Sequence, residues 1–171
     1  TELAAMIRAK QASSVEIVTE FLNNIKNNNY KYNALIFIRE QEAMEEARKA
    51  DEAVAKGDTV NKPLLGVPVT IKEMFWVKGS PSTWNAKMYG FTAPRNAEVV
   101  KQIKNGGAII LGTTNQPFML ADYQTKGEVY PTASNPFDTT RTPGGSTGGG
   151  AAALAAGFTT IELGSDLGGS I

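Results

Sequence analysis

GVPVTIK, residues 66–72, is the stretch on which the fold turns. Its apolar Val67, Val69 and Ile71 alternate as in a strand, and the strand ends on a lysine, Lys72, followed by Glu73. Downstream, Asn96–Asn105 has the periodicity of a short amphipathic helix, Gly106 and Gly107 stop it, and Ala108–Leu111 (AIIL) reads as a buried strand. Strand, helix and strand in that order predict an α/β sheet packed by helices. Ala151–Ala156 fits only a closely packed helix, and Thr160–Leu163 (TIEL) predicts one more strand.

Upstream of the strand, residues 1–58 read as largely helical. Ser13 and Glu16 form a capping-box pattern, after which Val15, Val18, Phe21, Leu22 and Ile25 recur at helical spacing. Asn27, Asn28 and Asn29 are expected to end that helix. Ala34–Ile38 (ALIFI) is a short β-rich run. A charged, alanine-rich helix follows from Glu40 to Lys56, with Gly57 at its C-terminal cap and a narrow stripe of Ala43, Ala47, Ala50 and Val54. Loops are expected at 57–65, through Trp76 and Trp84 to Pro94, and across 112–143, where four prolines break the chain. No repeat or low-complexity linker interrupts the pattern, so one domain is expected over 1–171, with N-terminal helices to about 58 and an α/β core over 66–171.

The 171 residues suffice for one core, and Lys+Arg balance Asp+Glu at 17 each, so no global field selects nucleic acid or a cationic partner. There is no cysteine, which removes disulfides, thiolate metal sites and cysteine nucleophiles. There is no histidine either, so neither a Ser-His-Asp relay nor an imidazole metal site can be built. Any serine chemistry needs another base. No apolar run reaches the roughly 18–20 residues that span a bilayer, and the first residues lack a secretory pattern, so a cytoplasmic protein without a membrane span is expected.

Two serines lie in glycine cradles: Ser146 in GGSTGGG (144–150) and Ser170 in GSDLGGS (164–170). Glycine lets a backbone come close to a ligand, so a serine so placed can present its hydroxyl and nearby amides to a reacting carbonyl. The alternatives for the first cradle are a flexible loop, a phosphate-binding loop that lacks its lysine, and a dinucleotide fingerprint (Gly148, Gly150, Ala153) with no strand directly before it. In the second, the amides of Leu167, Gly168, Gly169 and Ser170 could converge on one anion, with Asp166 bracing the loop; an ordinary turn is the alternative. Lys72 is either a desolvated amine of lowered pKa or a strand-end lysine that reaches solvent or pairs with Glu73.

Taken together, GVPVTIKE (66–73), GTTN (112–115), NPFDTTRTPGGSTGGGAAALAAG (135–157) and LGSDLGGSI (163–171) resemble the amidase signature family of serine hydrolases. The resemblance covers essentially the whole chain and corresponds to the N-terminal part of a longer domain. It implies a mixed central β-sheet flanked by helices, present here as an incomplete domain. The chain ending just after the second cradle suggests a fragment or a processed piece that needs the remaining C-terminal part.

The resemblance also implies a triad without histidine. Ser170 would be the nucleophile, Ser146, joined to Gly145 by a cis peptide bond, would bridge, and Lys72, neutral at rest, would take the proton. It implies no cofactor and no metal. Gly145, Thr147 and Asp166 would support the site. The family commonly has Asp at Glu73, Ser at Thr147 and Gly150, and Thr or Ile at Leu167. By analogy Phe118, Met119, Leu120 and Tyr123 would line the acyl pocket, with Leu120 the leading contact; Met119, Leu120 and Tyr123 suit an apolar or aromatic group, a plain core role being the alternative. NQPFMLADYQTKGEVYPTASNPFD looks more like stand-alone amidases, so hydrolysis of a small amide through an acyl-serine is expected, with a homodimer as the possible assembly. The alternatives are the catalytic A-type subunit of a glutamine-dependent tRNA amidotransferase and a non-catalytic binding module.

Overall fold

The computed structural model describes residues 2–171. In chain order it places α1 (Glu2–Arg8), α2 (Ser14–Tyr32), β1 (Leu35–Ile38), α3 (Glu40–Lys56), β2 (Pro68–Lys72), β3 (Pro81–Ser82), β4 (Phe91–Thr92), α4 (Glu98–Asn105), β5 (Ile109–Thr114), a 3-10 turn (Phe118–Leu120), α5 (Gly148–Ala155) and β6 (Glu162–Leu163). The main sheet has the order β1-β5-β2-β6. β1 runs antiparallel to β5, whereas β2 is parallel to both β5 and β6, so the sheet is mixed.

Both faces of this sheet are covered, which is why β2 and β5 are buried along their whole length. On one side Ile109 and Leu111 pack with Val18, Leu22 and Ile25 of α2, the alanines of α3, and Ala152 and Ala153 of α5. On the other, Val67, Val69 and Ile71 pack with Ala4 of α1 and Val100 of α4. Each buried Val or Ile side chain contributes roughly 1.5–3 kcal/mol by leaving water. The alanine stripe of α3 lets that helix lie close: Ala43, Ala47 and Ala50 are all buried.

Local signals hold where a local cause sets them. Ser13 and Glu16 form the capping box, each side chain bonding the other's backbone N–H. Gly57 caps α3 with a φ of 76°.

Other boundaries shift. The three asparagines do not end α2, which runs on to Tyr32 and closes on Asn33 in the left-handed region. Two of the side chains are occupied: Asn29 bonds both the N–H and the C=O of Leu35, and Asn28 bonds Asn24. The aromatic loop holds the ribbon β3–β4, braced by Trp76 against Phe91 with ring centroids 5.3 Å apart and by Arg95 over Trp76. α4 begins at Glu98 rather than Asn96. The strand after the glycines reaches Thr114 rather than Leu111, because Thr113 and Thr114 pair with Ile71 and Lys72. Of TIEL only Glu162 and Leu163 pair with β2; Thr160 instead donates its hydroxyl to Pro68 O.

α5 starts inside the glycine run, not at Ala151. A Cβ on Gly149 would lie 2.3 Å from Asn115 N and 2.7 Å from Ala34 O. Only a glycine allows the helix to begin against the end of β5.

Candidate active site

Lys72 ends β2 with its side chain fully buried, and Ser146, just before α5, is 2% exposed. Lys72 Nζ donates to Ser146 Oγ at 2.6 Å, Thr147 Oγ1 at 3.0 Å and Ser165 Oγ at 3.0 Å, with Ser165 O at 3.4 Å. The amine neither reaches solvent nor pairs with its neighbour. Successive strand residues face opposite sides, so Glu73 points away. Its buried carboxylate accepts instead from the backbone N–H and hydroxyl of Thr83, from Trp84 N and from Gln116 Nε2.

A lysine surrounded by three hydroxyls can be neutral or charged, because a hydroxyl either donates to the amine's lone pair or accepts from its N–H. Burial lowers the amine from its ordinary 10.5 to about 8, against the opposing pull of the Glu162 and Asp166 carboxylates. A substantial neutral fraction near physiological pH follows.

The peptide bond Gly145–Ser146 is cis. Immediately after it, Thr147 N donates to Ser170 O at 3.1 Å, which ties the two glycine cradles together. Among the described residues no hydrogen bond joins the Ser146 and Ser170 hydroxyls themselves. Ser170 is half-buried and borders two cavities. One, of about 280 Å³, is walled by Pro143, Gly145, Thr147 and Leu154; the other, of about 240 Å³, by Leu120, Tyr123 and Leu167.

The amides of the second cradle do converge, but on an internal anion. Gly169 N donates to Asp166 Oδ1 at 2.6 Å and Ile171 N to Oδ2 at 3.1 Å. Backbone bonds from Ser170, Gly169 and Ile171 hold the Asp166 carboxyl below its ordinary range. Asp166 therefore braces the turn, and in this arrangement it occupies donors that the sequence reading assigns to a substrate oxyanion. Leu167 and Gly168 are exposed at the turn's tip, where Gly168 O accepts from Tyr123 OH at 2.9 Å.

Of the four expected pocket residues, Leu120 and Tyr123 lie against the Ser170 loop, while Phe118 and Met119 do not. Met119 N bonds Trp84 O, and Phe118 N bonds Lys126 O, so the 3-10 turn directs both elsewhere. Two residues of the site went unread in the sequence. Ser165 supplies two oxygens to Lys72, and Glu162 acts on it through space. The only sequence signal for either is position, Glu162 within TIEL and Ser165 at the start of the second glycine cradle. No group of three or more acidic side chains among the described residues is arranged to hold a metal.

A buried lysine in contact with serine hydroxyls thus stands on a mixed α/β sheet, beside a second glycine-cradled serine. The chain belongs to the Amidase family, the amidase signature enzymes, whose family model matches residues 16–171. It is 41% identical over 172 aligned positions to the A-type subunit of the glutamyl-tRNA(Gln) amidotransferase of Aromatoleum aromaticum, covering 100% of this chain and 35% of that protein. A solved amidase superimposes with a TM-score of 0.91 at 30% identity, over 99% of this chain and 39% of that one. An inhibitor-bound chain of a vestigial complex, studied for the origins of an s-triazine catabolic enzyme, gives 0.94 at 32% identity, over 99% and 37%. The chain thus spans about a third of the length of the curated relatives it matches. Among the described residues no helix is long and apolar enough to cross a membrane.

Proposed function

We propose that the full-length protein hydrolyses a carboxylic amide through an acyl-serine, with Ser170 as nucleophile, Ser146 as bridge and Lys72 as base. The observation that carries this reading is the 2.6 Å contact between a buried amine and the Ser146 hydroxyl. Ser170 Oγ attacks the amide carbon while its proton passes to Ser146 Oγ and the Ser146 proton to Lys72 Nζ. The tetrahedral oxyanion is met by amides of the 167–170 turn as the Asp166 carboxylate cedes them. The C–N bond then breaks, the ammonium returns a proton through Ser146 to the departing amine, and water releases the acid by the same relay. Leu120 and Tyr123 would contact the acyl group. No cofactor takes part in this scheme, and the chemistry suits a cytoplasmic enzyme.

A fluorophosphonate probe should label Ser170 in the full-length protein. A positioned general base is worth about 10²–10⁴-fold, so Lys72→Ala should slow labelling at least roughly a hundredfold. A correctly folded full-length protein that is not labelled would sink the reading.

A second reading, as part of an amidotransferase, is favoured by the 41% identity to the Aromatoleum aromaticum protein. It needs the same acyl-serine, with glutamine as the amide and a partner to receive the ammonia. Isolation from the native source separates the two: co-purifying glutamyl-tRNA machinery supports the amidotransferase, whereas its absence with intact amide hydrolysis supports the stand-alone enzyme. A mere binding module has no use for the buried Lys72–Ser146 contact.

A further inference from the structure

Gly150 stands where the family resemblance leads one to expect a serine, and its place is taken from across the sheet. A Cβ at Gly150 would lie 2.4 Å from Cγ of Glu162 and 2.6 Å from Oε1. The carboxylate held there accepts from Thr70 Oγ1 at 2.5 Å and from Thr114 Oγ1 at 2.6 Å. Thr70 precedes Lys72 by two positions on β2, so the two share a face; Thr114 is the register partner of Lys72 on β5, and Glu162 that of Thr70 on β6. A polar row thus lies on the Lys72 side of the sheet, and its carboxylate bonds the threonines rather than the amine.

We propose that Glu162 is a positioning residue for Lys72, a carboxylate held behind the amine by Thr70 and Thr114, and that Gly150 is the gap that admits it. This rests on reading Lys72 as the proton acceptor. The charged group that acts on Glu162 is Lys72 from β2, and Asp166 from the loop after β6 acts on Lys72; β5 and α5 contain no ionisable side chain. Burial pushes the Glu162 carboxyl up to about 7, while the threonine bonds and the Lys72 charge act downward. An ionised Glu162 favours the ammonium form of Lys72, and a protonated one favours the free amine. Glu162 and Lys72 therefore titrate as a pair.

The test is a lysine side-chain NMR titration of the full-length protein, with the Lys72 signal assigned by its loss in Lys72→Arg. Glu162→Gln should lower the Lys72 midpoint by roughly one pH unit. It should move the acid limb of fluorophosphonate labelling in the same direction. Gly150→Ala, which displaces the carboxylate without removing its charge, should also lower the midpoint, and should add nothing in the Glu162→Gln background. An unchanged midpoint in folded Glu162→Gln overturns the proposal, as does an equal effect of Gly150→Ala in both backgrounds. If Glu162→Gln does not fold, an unchanged midpoint in Gly150→Ala alone overturns it. If wild-type Ser170 resists labelling while the Lys72 midpoint still follows Glu162, the hydrolase reading falls and the pairing stands.

Discussion

Among the described residues Lys72 is the one basic side chain that the fold takes fully out of water, and its chemistry follows from that burial. Its amine titrates near 8 rather than 10.5, so the form able to take a proton grows as pH rises through about 8. The rate of Ser170 labelling should rise through that pH and level off above it. In Lys72→Arg, whose guanidinium stays charged, the rise should vanish. A wild-type rate that is flat from about pH 6 to 10 would contradict a lysine base of this pKa. Asp166 offers a second residue-scale test. It gathers backbone N–H groups of the Ser170 turn, so Asp166→Ala should loosen the turn and slow labelling about tenfold or more, with little change in the Lys72→Ala background.

At the scale of elements, the capping box of α2 gives a direct measurement. Ser13→Ala removes the side-chain acceptor for Glu16 N and should cost about 1 kcal/mol in urea unfolding of the full-length protein. Elements set by neighbouring residues were legible in the sequence: this cap, the Gly57 stop, and the apolar strands β2 and β5. The end of α2, the β3–β4 ribbon and the start of α5 were not, because remote groups decide them. Asn29 continues the helix only because Leu35 offers it two partners, and Gly149 turns helical against Asn115. The site divides the same way. Lys72, Ser146 and Ser170 stood out from glycine spacing, the absence of histidine and a family pattern. Ser165 and Glu162 did not, since Glu162 acquires its meaning from the pairing of β6 with β2 and Ser165 from its bonds to Lys72, neither of which local pattern encodes.

Across the whole molecule, stability should carry the mark of the buried carboxyl. Glu162 titrates near 7 in the folded state against an ordinary 4.5, so between those values the folded protein binds more protons than the unfolded chain. Its contribution is complete below about pH 4.5 and is lost as pH rises through about 7. Glu162→Gln should flatten that part of the stability curve, as followed by urea midpoints; a mutant that retains the full slope would assign it to other groups. The sheet order has a further consequence for synthesis. Lys72 leaves the ribosome 74 residues ahead of Ser146, and Thr70 emerges 92 residues ahead of Glu162. At about 5–20 residues per second, the nascent lysine waits roughly 4–15 s for its first hydroxyl. During that interval it is an ordinary charged, hydrated side chain that keeps an otherwise apolar strand soluble, and it becomes a buried amine only when α5 and β6 arrive.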